Sequence, residues 1–99
     1  GTEYWRSELG AGEEPVLWAV VDKRKGLFSK TRELVLTTRP RLVYFDPEDQ
    51  EKKGEIPWSA GIAVELKGSG WFDVATPGRV YHIRDKSTGG PARWKGAIE

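Results

Sequence analysis

The chain has 99 residues, a formal net charge of +1, five tryptophans, twelve glycines and no cysteine. A chain of this length forms one domain and buries roughly two-thirds of its unfolded surface, which is enough for a hydrophobic core without cross-links. The absence of cysteine excludes disulfides, thiolate catalysis and cysteine-ligated metals, and it fits a reducing compartment. The near-neutral charge argues against a general nucleic-acid binder, and no stretch approaches the roughly 20 apolar residues of a membrane span.

Residues 1–14 are polar with scattered aromatic side chains. We expect them to form an N-terminal extension with a short helical turn near residues 7–9. Seven short strands follow, each bounded by turn residues, which indicates a β-sandwich or a partly open barrel. Alternation and turn signals place the strands at 15–25, 32–37, 41–45, 53–58, 62–66, 71–75 and 79–84. Pro57 has no N–H to donate, so the fourth strand is predicted to lie at an edge of the sheet.

The character of the chain changes after the seventh strand. Pro91 at a first helical position, followed by alanine, arginine and lysine, predicts a short C-terminal helix. Trp94 and Ile98 lie four residues apart and would share one face that plugs the open end of the barrel. Residues 15–99 are therefore predicted to form a mainly β domain with a capping helix. Trp18 and Trp71 are also expected in the core, whereas Trp5 and Trp58 have no predicted place.

Positive charge is concentrated between Val21 and Arg32. This segment carries five basic residues and one acid, a local charge of +4, so the rest of the chain sums to −3. Apolar residues precede and follow it, which indicates a β-hairpin. Leu27 and Phe28 are large apolar residues at its tip, where loops are normally polar. A basic rim with an apolar tip fits the surface of a phospholipid leaflet, unless the loop folds back and buries both side chains.

The four bases that flank the predicted loop are expected on one face. With residues 26–29 as a four-residue loop, Lys25 faces Lys30 and Lys23 faces Arg32, and the period of two along a strand puts all four on the same side. Like charges directly opposite each other destabilise a hairpin. The sequence therefore indicates either a solvated basic edge or a site for a polyanion, whose phosphates would replace the repulsion with charge-assisted hydrogen bonds.

Enzymatic activity is not indicated. His82 is the only histidine, and without cysteine, a Ser-His-Asp arrangement or metal-ligand spacing it is interpreted as a packed or surface residue. No cofactor or metal is expected. Thr76, followed by Pro77, is a candidate phosphorylation site beside Arg79, although Thr-Pro is common in plain turns and that interpretation is favoured. Single-stranded nucleic-acid binding would need exposed tryptophans, and Trp18, Trp71 and Trp94 are expected in the core or the cap.

Five motifs together point to one family. They are Val21-Asp22-Lys23-Arg24-Lys25-Gly26-Leu27-Phe28, Asp46-Pro47, Lys53-Gly54-Glu55-Ile56-Pro57-Trp58-Ser59, Thr76-Pro77-Gly78-Arg79-Val80-Tyr81 and Trp94. From about residue 16 to residue 94 the chain resembles the C-terminal pleckstrin-homology (PH) domain of the 3-phosphoinositide-dependent protein kinases. The resemblance implies the PH-domain fold, a seven-stranded partly open barrel or sandwich with a C-terminal helix, and no catalysis within this chain.

The resemblance also implies a ligand and a set of partners. The family binds phosphoinositide headgroups with a 3-phosphate, and soluble inositol polyphosphates, beside the first hairpin. On this sequence the matching phosphoinositide-binding residues are Lys23, Lys25, Lys30, Arg32, Lys53 and Arg79, with Leu27 and Phe28 as candidate membrane contacts. Thr31 departs from the pattern, since relatives often carry a base there.

The further partners implied are an anionic membrane surface and an attached Ser/Thr kinase domain, with no nucleic acid. The implied location is cytoplasmic, with reversible, peripheral recruitment to the plasma membrane. The alternative is a protein-interaction or autoregulatory module with weak or no lipid binding, because a fold does not by itself imply a function.

Overall fold

The computed structural model describes residues 3–99. A short 3₁₀ helix, Tyr4–Glu8, precedes seven strands and one α-helix. The strands are β1 (Pro15–Lys25), β2 (Phe28–Thr37), β3 (Arg41–Phe45), β4 (Lys52–Ile56), β5 (Ala63–Gly68), β6 (Trp71–Thr76) and β7 (Arg79–Arg84), and the helix is α1 (Gly90–Ile98).

The strands form one antiparallel sheet in the order β4-β3-β2-β1-β7-β6-β5. β1 pairs with β2 along its length, but with β7 only at Asp22 and Lys23. β1 therefore joins the two halves of the sheet near the end that carries the first hairpin. β4 lies at an edge, as predicted from Pro57, which follows directly after its last residue.

One hydrophobic core receives side chains from every strand, so the open sheet wraps around it. The helix α1 contributes Trp94 and Ile98, which are 1% and 5% exposed, and this confirms their predicted role as a cap. Trp94 stacks on Phe72, with ring centroids 6.4 Å apart. The strand residues of the core are Val21, Leu34, Leu36, Leu42, Ile56, Val64, Phe72, Val74, Tyr81 and Ile83.

A buried carboxylate fixes the start of α1. Asp85 is 2% exposed and accepts hydrogen bonds from the Trp94 indole N–H at 2.9 Å and from the Ser87 backbone N–H at 2.9 Å. Burial alone would raise the pKa of Asp85, but the hydrogen bonds from Ser87 and Trp94 outweigh it and lower the pKa. Gly90 is required at the helix start because a Cβ there would overlap the Asp85 carboxylate.

A second hydrophobic cluster covers the outer face of β2 and β3. Val35, Val43 and Phe45 point away from the main core and are buried under Trp5, which is 1% exposed, and Tyr4. The 3₁₀ helix therefore works as a lid on the outside of the sheet.

The tryptophans are distributed differently from the prediction. Trp18 is 38% exposed and lies 5.3 Å from Trp5 on the outer side of β1, and Trp71 is half-buried under the Arg24 guanidinium. The core positions predicted for Trp18 and Trp71 were wrong, because both alternate with residues that face inward. Trp58 packs partly against the main core.

Glu13 ties the N-terminal segment to the sheet. Its side chain is 5% exposed and accepts hydrogen bonds from Arg41 Nε at 2.8 Å, from Thr37 Oγ1 at 2.5 Å and from the Gly10 N–H at 2.8 Å. The bond from Arg41, supported by those from Thr37 and Gly10, overcomes burial and lowers the pKa of Glu13 from 4.5 to about 2.

We predict that Glu13 makes folding stability acid-sensitive. A carboxylate whose pKa is lowered by folding stabilises the fold above its unfolded pKa of 4.5, and this contribution disappears as the pH falls towards 2. Linkage gives about 3 kcal/mol at most. Glu13→Gln should therefore lower the free energy of unfolding at neutral pH and flatten its pH dependence in that window, as measured by urea unfolding.

The neighbouring exposed residue provides the control. Glu14→Gln should keep the wild-type pH dependence. If wild type and Glu13→Gln lost stability equally steeply in acid, the proposed role of Glu13 would be wrong.

Candidate functional site: a basic pocket beside the first hairpin

The β1–β2 hairpin has a two-residue loop. Gly26 and Leu27 form the loop, and Lys25 pairs with Phe28. Gly26 has a φ of +62°, and a positive φ at the first loop position is the conformation that glycine supplies in such turns. β2 therefore begins at Phe28, four residues before its predicted start, and the predicted four-residue loop was wrong.

The pairing register differs accordingly. Lys23 lies opposite Lys30, and Arg32 lies opposite Val21, so the predicted pairing of Lys25 with Lys30 and of Lys23 with Arg32 was wrong. The loop is two residues shorter than predicted. The pairing register is therefore shifted by two residues. Because a shift by an even number keeps every side chain on its predicted face, the four bases still share one side of the hairpin.

The side of the hairpin that carries the four bases is its inner face, the one directed towards the main core. Along the hairpin this face changes from apolar to basic. Val21 is 3% exposed and belongs to the core, while the next residues on the same face of β1 are Lys23, at 9% exposure, and the exposed Lys25. On β2 the same face passes from Arg32 to Lys30. The basic residues therefore lie between the main core and the tip of the hairpin.

All six predicted phosphoinositide ligands lie around one pocket of about 300 Å³. The hairpin supplies four of them, β4 supplies Lys53, and Arg79 begins β7. Lys53 and Arg79 are distant from the hairpin in sequence, and the curvature of the sheet brings them to it. The complete lining is Lys23, Lys25, Lys30, Arg32, Tyr44, Lys53 and Arg79.

Lys23 lies at the bottom of the pocket between aromatic rings. Its Nζ is 4.6 Å from the centroid of the Tyr44 ring and 5.6 Å from that of Tyr81. Burial, and then the positive charges of neighbours that include Arg79 and Arg32, lower the pKa of Lys23. The two rings offset part of this cost through cation–π contact.

Tyr44 is the pocket residue that sequence reasoning missed. It pairs across the sheet with Gly54, and a Cβ at Gly54 would lie 2.5 Å from the Tyr44 hydroxyl oxygen. The glycine therefore leaves room for the tyrosine ring to lie across β4. A glycine inside a strand often marks such a close approach, and Gly54 was the available signal.

Two acids of the β3–β4 loop face the pocket bases. Lys53 Nζ donates to Asp49 Oδ2 at 2.8 Å, and Arg32 Nη1 lies 3.5 Å from Asp46 Oδ2. Within residues 3–99, four pocket bases form no ion pair, and these are Lys23, Lys25, Lys30 and Arg79. The pocket therefore keeps a strong excess of positive charge.

The loop does not fold back. Leu27 is 96% exposed and Phe28 is 76% exposed at the hairpin tip, next to the opening of the pocket. Whether they contact a membrane stays a prediction. In the part of the chain that the structure describes, no helix is long and apolar enough to cross a membrane.

His82 faces away from the pocket. Its Nδ1 lies 2.7 Å from Asp73 Oδ1 on the outer face of β6 and β7, which agrees with the predicted packed or surface histidine. Residues 3–99 contain no group of three or more histidine, cysteine or acidic side chains that could hold a metal ion.

Sequence comparison assigns the chain to one family. Residues 3–99 match the PH domain family. The chain is 43% identical over 91 residues to the probable serine/threonine-protein kinase pdkA of Dictyostelium discoideum, and 49% identical over 74 residues to 3-phosphoinositide-dependent protein kinase 1 of Homo sapiens. These alignments cover 92% and 75% of this chain. The chain spans only 13% of the length of each of these curated relatives.

Structure comparison gives the same fold. The C-terminal PH domain of pleckstrin, solved in complex with D-myo-inositol 1,2,3,4,5-pentakisphosphate, superimposes with a TM-score of 0.77. The match covers 86% of this chain and 95% of that one, at 21% sequence identity. The chain thus belongs to the PH domain family, a non-catalytic binding fold, and is of the type found in the 3-phosphoinositide-dependent protein kinases.

Proposed function

We propose that the basic pocket binds phosphoinositide headgroups and soluble inositol polyphosphates. Through this binding the domain brings an attached serine/threonine kinase domain reversibly to an anionic membrane. The observation that carries the proposal is the convergence of six basic side chains from four strands on one pocket of about 300 Å³. A volume of this size lies at the lower end of the range for small-molecule sites.

The pocket chemistry suits a ring that bears several phosphates. Such a ligand needs donors that approach from different directions, and here they come from β1, β2, β4 and β7. Lysines supply mobile point charges, whereas Arg32 and Arg79 supply planar forks that can grip a phosphate with two hydrogen bonds. A bound polyanion would also relieve the repulsion that Lys23 and Lys30 experience across the hairpin.

The relatives support the same ligand class. The human relative is named 3-phosphoinositide-dependent protein kinase 1, and the Dictyostelium relative is named as a probable serine/threonine-protein kinase. The pleckstrin domain, which has the same fold, was solved with an inositol pentakisphosphate. Because this chain spans 13% of each kinase, we infer that a kinase domain lies in the remainder of the full protein. A preference for a 3-phosphate is part of this proposal, by analogy with the family.

The hairpin tip supports docking on a membrane. Leu27 and Phe28 are exposed beside the pocket opening, so they can enter the acyl region while the headgroup fills the pocket. The anionic cytoplasmic leaflet of the plasma membrane offers both the headgroup and the surface charge that attracts Lys25 and Lys30.

The proposal is tested by calorimetric titration with inositol 1,3,4,5-tetrakisphosphate. We expect Lys30→Ala with Arg32→Ala to weaken binding at least about a hundredfold, because each residue contributes a charge-assisted contact. Arg39→Ala with Lys86→Ala removes the same charge from exposed positions outside the pocket and should change the affinity by less than about threefold.

A folded wild-type domain that binds no tetrakisphosphate at millimolar concentration would overturn the proposal. The basic hairpin would then serve as a protein-docking surface, with the attached kinase domain as the first partner to test.

Asp49 should weaken binding as an internal competitor. Its carboxylate accepts a hydrogen bond from Lys53, which a headgroup would have to replace. Asp49→Asn keeps an acceptor for the turn N–H of Glu51 but loses the charge, so the affinity for the tetrakisphosphate should rise about threefold. Glu48 lies in the same loop and forms no ion pair within residues 3–99, so Glu48→Gln removes the same charge and should have a smaller effect. Equal effects of the two changes would attribute the gain to overall charge and contradict the ion-pair role.

The apolar tip should matter for membranes and not for the soluble headgroup. Leu27→Ser with Phe28→Ser should weaken binding to phosphoinositide-containing vesicles at least about tenfold, since two apolar side chains no longer insert. The affinity for soluble tetrakisphosphate should stay unchanged. Val16→Ser with Val20→Ser, on the exposed outer face of β1, is the control. If the tip variant bound vesicles like the wild type, membrane insertion would be excluded.

A further inference from the structure

Thr76 and Arg79 lie side by side at the end of the β6–β7 hairpin. They form its last residue pair, and the Thr76 hydroxyl donates a hydrogen bond to the Arg79 carbonyl at 2.8 Å. Phe72 and Val74 point into the core, so the alternation of β6 directs Thr76 to this inner face as well. Arg79 lies on the same face of β7 as Tyr81 and lines the pocket. Thr76 itself does not line the basic pocket, but it lies directly beside Arg79, which does.

We propose that Thr76 is a phosphorylation site whose phosphate closes the basic pocket to polyphosphate ligands. Pro77, Gly78 and Arg79 are exposed, so the Thr-Pro turn projects from the fold where a proline-directed serine/threonine kinase can reach it. The modification itself is independent of the proposed function, whereas its effect on ligand binding rests on that function.

The modification is an ordinary phosphoryl transfer. The Thr76 oxygen attacks the γ-phosphorus of ATP, and the bond from this phosphorus to the bridging oxygen breaks. ADP leaves with the electron pair, and the hydroxyl proton passes to the general base of the modifying kinase. The product carries about −1.5 to −2 charges at neutral pH and has lost the hydroxyl donor to the Arg79 carbonyl.

The new phosphate would act as an internal ligand. The Arg79 guanidinium lies 4.5 Å from the Tyr81 ring centroid and has no ion-pair partner in the described range 3–99. It is therefore free to grip a phosphate on the neighbouring residue. Arg79 would be neutralised, and an incoming polyphosphate would meet a like charge at the rim. Affinity for the tetrakisphosphate should fall at least about tenfold.

The first experiment tests the modification. The wild-type chain and Thr76→Val are incubated with a proline-directed kinase and ATP, and phosphate is mapped by mass spectrometry. One phosphate on Thr76 in the wild type and none at this position in the variant is the expected result. If the same kinase phosphorylates a synthetic peptide of residues 72–81 but not the folded chain, the turn is inaccessible and the proposal is overturned.

The second experiment tests the contact without any lipid. Phosphothreonine is placed at 76 by semisynthesis, and at the exposed Thr88 as a control. In ³¹P NMR titrations, Arg79→Gln should raise the phosphate pKa at 76 and leave that at 88, which lies beside Arg93, unchanged. If Arg79→Gln left the phosphate pKa at 76 unchanged, Arg79 would not be engaged and the proposal would be overturned.

Calorimetry then measures the consequence. Phosphothreonine at 76 should weaken tetrakisphosphate binding at least about tenfold, and phosphothreonine at 88 by less than about twofold. Unchanged affinity of the form modified at 76 would overturn the closing role. If no form binds the tetrakisphosphate, the proposed function fails, and the ³¹P titration still decides the contact with Arg79.

Discussion

The period of two along the β1–β2 hairpin is the constraint on which the rest of the structure depends. One face of this hairpin supplies core residues such as Val21 and, one step further, the nearly buried Lys23. The strand that supplies core residues therefore also carries pocket residues. A slip of one residue in the pairing of β1 with β2 would move the core side chains and the pocket side chains to the opposite face together. This coupling explains why a buried ammonium is tolerated at the boundary, where the Tyr44 and Tyr81 rings offset part of its desolvation.

The pocket is rigid in its backbone and adaptable in its side chains. All seven of its lining residues project from paired strands, and a site on strands is held more precisely than one on loops. On the edge strand β4, Gly54 leaves room for the Tyr44 ring to lie across the strand beside the pocket. The lysines supply point charges on flexible stems, and the carboxylates of Asp46 and Asp49 partly neutralise Arg32 and Lys53. Under the proposed function, competition between these acids and a ligand phosphate would favour reversible binding.

Much of this arrangement could be predicted from the sequence, and the failures have physical causes. The bounds of β1, β3 and β7 agree with the prediction residue by residue, because runs rich in β-branched and aromatic residues are bounded there by clear turn residues. The hairpin loop was predicted too long because residues 28–31 are exposed on both faces, so only their pairing with β1 makes them a strand. Trp5 could not be placed, since its partners lie on the outer face of the sheet, where a hydrophobic pattern does not indicate what covers it. The charge pattern indicated the four bases of the hairpin, and a family resemblance added Lys53 and Arg79, whereas neither signal pointed to the uncharged Tyr44.

Along the hairpin, three environments follow one another in a fixed order. Leu27 is almost fully exposed at the tip, the basic pairs come next, and Val21 is buried in the core. Under the proposed function, this order matches a membrane approached tip first. The apolar tip meets the acyl chains, the basic pairs meet the headgroups, and the folded core stays on the aqueous side. Membrane affinity would then combine two modest contributions, insertion and headgroup binding, which reinforce each other because they share one rigid hairpin. A soluble inositol polyphosphate can replace only the second contribution. Under the proposed function, the exposed tip would let the domain favour a membrane over a free ligand of equal charge, a distinction that the pocket alone could not make.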